Sequence, residues 1–233
     1  EKLDVTAMVG TNIRRTKSDE VYVSTNNGLA VPNVYALNNS VDPMLPPEEN
    51  LRQIGVNGIF GSVSLGYKNT FFVDATLRRD QSSSLPKEEN SYFYPSVTTS
   101  FIFSNLMNAD WLSLGKLRLN FAEVGSSAPA FSVKDVYIAN APFSGTSLVT
   151  VPNTKQNSLL KPERQRALEA GLEMNFFKNR LGIDIGLYKN NTFDQLMPVS
   201  VSYATGFSSK WVNAGEIQNK GIELALTGTP LKV

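Results

Sequence analysis

The sequence contains no cysteine and no histidine. Without cysteine there is no disulfide, no thiol nucleophile and no thiolate metal site, a usage that suits an oxidising compartment. Without histidine there is no imidazole base for a Ser-His-Asp or Cys-His pair, no ordinary zinc site and no side chain that titrates unperturbed near neutrality. A charge imbalance is also lacking. Lys and Arg total 22 against 21 Asp and Glu, a net charge of +1, so no electrostatic footprint for nucleic acid is present. Long hydrophobic runs are missing too: none approaches the ~18 apolar residues of a spanning helix. That excludes crossing a membrane by helices and leaves strands open. No charged and then apolar leader pattern is seen, which places any signal peptide upstream. Glu1 already stands in a strand-like alternation and the end follows a Thr-Gly-Thr-Pro turn, so the chain reads as a piece of a longer protein.

What is present is 233 residues, 41% hydrophobic and 18% charged, enough for one large domain. Read with a two-residue period, the chain divides into eight segments, most of them long for soluble strands. Val5, Ala7 and Val9 mark the first; Ile59, Val63, Leu65 and Tyr67 the second; Val73, Ala75 and Leu77 the third. Val97, Phe101 and Phe103 mark the fourth, and Leu117, Leu119 and Phe121 the fifth. Leu168, Ala170, Leu172, Met174 and Phe176 form the sixth stripe, Leu181, Ile183, Ile185 and Leu187 the seventh, and Ile222, Leu224 and Leu226 the eighth, a strand that runs from Asn213 to Gly228.

The connections alternate in length. "KNT" at 68–70, "KNR" at 178–180 and a moderate link over 105–115 share one edge, whereas 18–52, 80–91, 125–161 and 200–210 are long and polar. Short turns on one rim and long loops on the other is the plan of an outer-membrane β-barrel. Phe71, Phe72, Phe176 and Phe177 abut the short turns, with Tyr67, Phe101 and Phe103 at similar depth, as in an aromatic girdle. On this plan Asp74, Arg118, Glu169, Glu173, Asp184 and Glu223 line the lumen. Two alternatives remain open at this point. A soluble carbohydrate-binding β-sandwich also alternates when one face is buried. An outer-membrane or secreted glycosidase would draw two carboxylates from Asp74, Asp184 and Glu223. They are told apart by whether the Leu181 to Leu187 stripe is covered by a second sheet.

"LKPERQRALEAGLEMNFFKNRLGIDIGLYKNNTFDQL" with "NAGEIQNKGIELAL" resembles the late barrel of TonB-dependent outer-membrane receptors. "LRRDQSSSLPKEENSYFYPSVTTSFIFS", "GKLRLNFAEVGSS" and "TGFSSKWVNAGEIQNKGIEL" narrow the resemblance to the SusC/RagA family. It covers the chain from about Gln53 onward and, more loosely, the first fifty residues. Gln81 replaces a usual Gly, and Ala122 and Glu123 a usual Tyr-Gly pair.

The resemblance implies an all-β fold: an up-and-down antiparallel segment of a transmembrane barrel, about eight strands forming an open curved sheet from a 22-strand wall, with residues 1–233 one partial barrel region. It implies part of a transporter importing oligosaccharides or peptides across a Gram-negative outer membrane. Its partners would be a SusD-like surface lipoprotein, outer-membrane lipid, and TonB through an N-terminal box and plug outside this chain. No enzymatic activity, catalytic residue, metal or cofactor is expected, and no nucleic-acid partner.

Motif residues Arg79, Asp80, Pro162, Glu163, Asn213, Gly215, Asn219, Lys220 and Gly221 read as structural, with Pro162 and Glu163 opening a wall strand at the barrel's edge. Ile217 and Ile222 are five apart and fall out of phase, which predicts a bulge over 219–221 with Gly221 at positive φ. Substrate contacts are expected on the long loops, where Tyr35, Phe131, Tyr137 and Phe143 could stack on a sugar or pack on a lid.

Overall fold

The computed structural model describes residues 2–229. Eight long strands dominate: β1 (Leu3–Tyr22), β2 (Glu48–Tyr67), β3 (Phe71–Ser82), β4 (Ser91–Ile102), β5 (Leu112–Ser126), β6 (Glu163–Phe176), β7 (Leu181–Phe193) and β8 (Ile217–Gly228). They form one antiparallel sheet in sequential order, with β1 and β8 at its two edges. The shortest has 12 residues and β1 and β2 have 20 each, all beyond the ~9 to 11 that a tilted strand needs to cross a bilayer.

Register explains why the alternation is so regular. One row runs straight across all eight strands through Leu3, Tyr67, Phe71, Phe101, Leu117, Leu172, Ile185 and Leu224, every member apolar. Three residues further along, on the opposite face, another row runs through Thr6, Ser64, Asp74, Thr98, Asn120, Glu169, Tyr188 and Gly221. Successive residues of a strand point to opposite faces, so over this band each strand contributes one apolar and one polar face.

Among the described residues no second sheet covers the apolar face: Leu187 is 49% exposed, Leu224 62% and Ile222 76%. A sandwich would bury this stripe, so the sandwich reading is overturned. The hydrophobic core lies elsewhere. Leu85, Ala128 and Leu160 are buried together, with Tyr92, Val133, Leu196 and Trp211 packed on them, all from the long connections or the strand ends beside them.

The short turns fold tightly because their residues accept left-handed backbone. Lys68 and Asn69 both have φ 51, and Phe177, Lys178 and Asn179 have φ 52, 56 and 64; two consecutive left-handed residues match the twist of a two-strand ribbon. Beside them Tyr67, Phe71 and Phe101 share one row, and Trp111 stacks on Phe176 with centroids 5.9 Å apart. Phe72 lies on the polar face instead, as alternation demands, with its ring across Gly66.

Three expectations are corrected. β1 and β2 extend well past the apolar band, so the first long connection is 23–47 and not 18–52. The eighth wall strand begins at Ile217; Asn213 ends a separate rim strand, Ser209–Asn213. No bulge occurs over 219–221, since β8 pairs with β7 without a register shift and the left-handed glycine is Gly215 at φ 90. Ile217 simply lies on the polar face, opposite Thr192. Gly221 is small for a different reason: a Cβ there would stand 2.7 Å from Cζ of Tyr188, whose ring crosses it.

Candidate functional site

The rim carrying the long connections is built from three loops that the sequence separates widely. Residues 83–90, 127–162 and 194–216 meet over the Leu85, Ala128 and Leu160 core. Two short pairings stiffen the last two loops: Leu196–Ser200 pairs antiparallel with Ser209–Asn213, which pairs parallel with Thr154–Lys155. Asn213 fastens this layer to the wall. Its Nδ2 donates to the carbonyls of Lys161 and Asp194, both at 2.9 Å, and its Oδ1 accepts from the Lys161 amide at 2.8 Å. One side chain thus ties the start of β6 to the end of β7 and satisfies backbone groups that the wall ladders leave open. Buried Pro162 precedes β6, and the Glu163 carboxylate accepts the Leu196 amide at 3.0 Å.

Within the rim, a groove is lined by Lys134, Asp135, Lys155, Asn157, Phe207 and Lys210. Lys155 donates to Asp135 at 2.5 Å and lies 5.3 Å from the Phe207 ring centroid. Parallel pairing sets Lys210 directly beside Lys155. Three lysines against one carboxylate give the groove a net positive character. Their positions span more than seventy residues, and no local spacing in the sequence joins them.

Of the loop aromatics read from sequence, Phe131 lines a neighbouring groove with Leu85, Lys87, Val133 and Lys134. Tyr35, Tyr137 and Phe143 are 86%, 69% and 73% exposed, and none of the four stacks on another among the described residues. The structure therefore does not gather them into one site.

Register places Asp74, Arg118, Glu169, Glu173, Asp184 and Glu223 on one face, opposite the apolar stripe. Arg118, Glu169, Asp184 and Glu223 line one hollow there with Asn120, Tyr188 and Asn190. Arg118 Nη2 donates to Asp184 Oδ1 at 2.6 Å, and Asn120 Nδ2 donates to Glu169 at 3.3 Å. The Oδ1 atoms of Asn120 and Asn190 are buried without a donor.

Nearer the rim, buried Asp80 accepts from Arg78 Nε at 2.9 Å and from the Tyr94 hydroxyl. Arg79 points to the apolar side, over the Phe93 ring and bonded to Ser91. Asn219 lines the polar hollow, whereas Lys220 falls on the apolar side, opposite Lys189. Asp74 stands far from the other two candidate carboxylates, whereas Asp184 and Glu223 lie on neighbouring strands and line the same hollow. Asp74 and Asp184 are four strands apart, about 19 Å at the usual strand spacing, against the roughly 5 to 9.5 Å that glycosidase chemistry uses. Asp184 is also held by Arg118.

The family described as TonB dependent receptor-like, beta-barrel matches residues 2–232. TonB-dependent receptor P26 of Formosa agariphila is 25% identical over 243 residues, covering 98% of this chain and 24% of the relative. TonB-dependent receptor P3 of the same organism is 26% identical over 192 residues, covering 78% of this chain and 19% of the relative. Among solved structures, that of the RagAB peptide transporter superposes with a TM-score of 0.84 at 25% identity, covering 100% of this chain and 26% of that one. The chain thus spans about a fifth to a quarter of the length of these proteins.

Proposed function

The chain belongs to the TonB-dependent receptor-like β-barrel family of the Gram-negative outer membrane, and on that premise we propose that it forms about a third of the 22-strand wall of an importer. The family is one of receptors and transporters and not of enzymes. The observation that carries the proposal is the pair of rows described above: a bare apolar face backed by a face of charge and amide. Bare apolar surface of this extent is tolerable only against lipid. The charged face then lines the lumen, and the loop-bearing rim opens to the exterior.

The imported substrate is an oligosaccharide or a peptide. The likeness to the RagAB peptide transporter over the whole of this chain supports that class, as does a rim built of loops on a rigid wall. Tyr35, Tyr137 and Phe143 are the exposed aromatics that contact cargo or a SusD-like lipoprotein lid, with Phe131 at the edge of the grooves. Arg79, Asp80, Pro162, Glu163, Asn213, Gly215, Asn219 and Gly221 hold the wall and rim in shape. Energy arrives from TonB through regions outside this chain.

The test is uptake of labelled oligopeptides and oligosaccharides by cells carrying the full-length receptor, with and without TonB. Accumulation of one class that disappears without TonB is the expected result. Uptake indifferent to both receptor and TonB overturns the proposal.

A further inference from the structure

The rim loops lean over the polar face of the wall and not over the apolar one. Tyr92, directly opposite Asp80 and so on the face of Asp74, packs against Leu85, Ala128 and Leu160. Glu163 shares the face of Glu169 by alternation, and its carboxylate accepts the Leu196 amide at 3.0 Å. The groove between loops 127–162 and 194–216 is therefore carried on the side of the wall that holds Arg118, Asp184 and Glu223.

Both walls of this groove come from the chain and are bonded to each other. The Asn153 carbonyl accepts the Ser208 amide at 2.9 Å, the hydroxyls of Thr154 and Ser209 meet at 2.8 Å, and the Asn157 side-chain amide donates to the Trp211 carbonyl at 3.0 Å. Ser209–Asn213 is the central strand of the small rim sheet, so both lateral neighbours of Lys210, Lys155 and Val199, are in view. Paired residues on adjacent strands share a face about 4.8 Å apart, which sets the Lys155 and Lys210 side chains together. Asp135 is the one carboxylate among the described residues that line the groove, and it is taken by Lys155. Lys134 and Lys210 reach no carboxylate among the described residues. Two positive charges thus stand beside the half-buried Phe207 ring and the aliphatic Val133 and Val201.

We infer that this groove binds a carboxylate of an oligopeptide cargo, with Lys134 and Lys210 supplying the charge and Phe207 and Val201 the surface for the neighbouring side chain. Each ammonium is a point charge with three rotatable donors, which accepts a carboxylate in many orientations, as Lys155 does with Asp135 at 2.5 Å. No arginine lines the groove to select a planar, bidentate anion. Asn157 and the Thr205 hydroxyl are spent on backbone groups of the rim itself. The hydroxyls of a uronate sugar would find few partners beside the lysines and lose water at a cost, whereas an aliphatic side chain finds Val133, Leu159 and Val201. The site rests on the importer reading proposed above.

The test uses the full-length receptor, purified in detergent, and the fluorescence anisotropy of two probes: a labelled oligopeptide rich in glutamate with a free C-terminus, and its isostere with glutamine and a C-terminal amide. The native receptor should bind the acidic probe at least fivefold tighter, a preference that falls as salt is added. Lys134→Gln with Lys210→Gln should abolish the preference, and Lys134→Arg with Lys210→Arg should keep it. Asp135→Asn, which frees Lys155, should raise it. Lys178→Gln with Arg180→Gln, in a tight turn at the opposite rim, should leave it intact. Heat-modifiable migration checks that each variant folds. Equal preference in the native and Gln-substituted proteins overturns the site. Tighter binding of an oligouronate than of the acidic probe, lost in the same Gln variant, overturns the peptide assignment. In both cases TonB-dependent uptake of the neutral probe leaves the importer reading standing; no TonB-dependent uptake of any probe removes that reading, and the site with it.

Discussion

Arg118 and Asp184 stand on β5 and β7, yet their side chains meet at 2.6 Å because the strand between them carries Gly171 where the guanidinium passes. A Cβ at Gly171 would lie 3.0 Å from Arg118 Nε. The bridge also resolves a local conflict. Asp184 is directly opposite Glu173, which is opposite Lys116 on its other side, so two facing carboxylates are balanced by two cations.

The first prediction concerns that balance. In the full-length receptor Asp184→Asn and Arg118→Gln should each lower stability, with a coupling of at most about 1 kcal/mol, because both partners are more than a third exposed on this face and water screens such pairs. Urea unfolding of the two single variants and the double variant in detergent gives the coupling directly. A coupling near zero would mean that the charges of this face act independently.

Adjacent residues of β8 separate the two faces. Leu224→Arg puts a charge against lipid between Ile222 and Leu226 and should cost about 2 to 4 kcal/mol near the midplane. Glu223→Arg remains on the polar side and should insert almost normally. Heat-modifiable migration of outer-membrane preparations distinguishes them. Equal folding of the two variants would contradict the lipid and lumen division.

How far the sequence discloses this structure follows from where its alternation has a physical cause. Between the short turns and Lys189 or Lys220, one face is apolar and the other polar at every second residue, and the eight strands are plain in the text. Above that level the rule lapses. The Arg14 to Asp19 stretch of β1 is polar on both faces, yet pairs residue for residue with β2, held by backbone hydrogen bonds that leave no mark on side-chain choice. The same lapse makes Ile217 look out of register when it merely occupies the other face. The rim groove was illegible for another reason: Lys134, Lys155, Phe207 and Lys210 come from separate loops, and only folding over Leu160 brings them together. Asn213 and Gly221 were recognisable as motif members, but their partners, Lys161 and Tyr188, were not.

Asn213→Ala removes three hydrogen bonds at once, each worth about 0.5 to 1.5 kcal/mol, from a place where the wall ladders have ended. The barrel should still form, since no wall pairing is lost. The 194–216 loop should loosen, seen as at least tenfold faster amide exchange at Leu196 and Lys161 and earlier cleavage by added protease. Asn213→Asp keeps the acceptor but loses both donations and should fall between. Unchanged exchange in the Ala variant would show that the small rim sheet holds itself without this side chain.

The last prediction turns on Gly221, whose small size admits the Tyr188 ring. Gly221→Val places branched carbon where that ring lies, in backbone that is ordinary strand and carries no positive φ, so the cost is steric and not conformational. Overpacking of this kind runs about 1 to 3 kcal/mol. Tyr188→Ala vacates the space, so the double variant should recover most of the loss, and the recovery is the decisive quantity: a backbone requirement for glycine could not be relieved from the neighbouring strand. Unfolding midpoints of the four proteins in detergent supply it. Because Tyr188 also lines the polar hollow with Glu223, uptake measured on the rescued protein then reads the ring's part in transport separately from its part in stability. Full stability with impaired uptake would assign Tyr188 to the cargo path, and full uptake would leave it a packing residue alone.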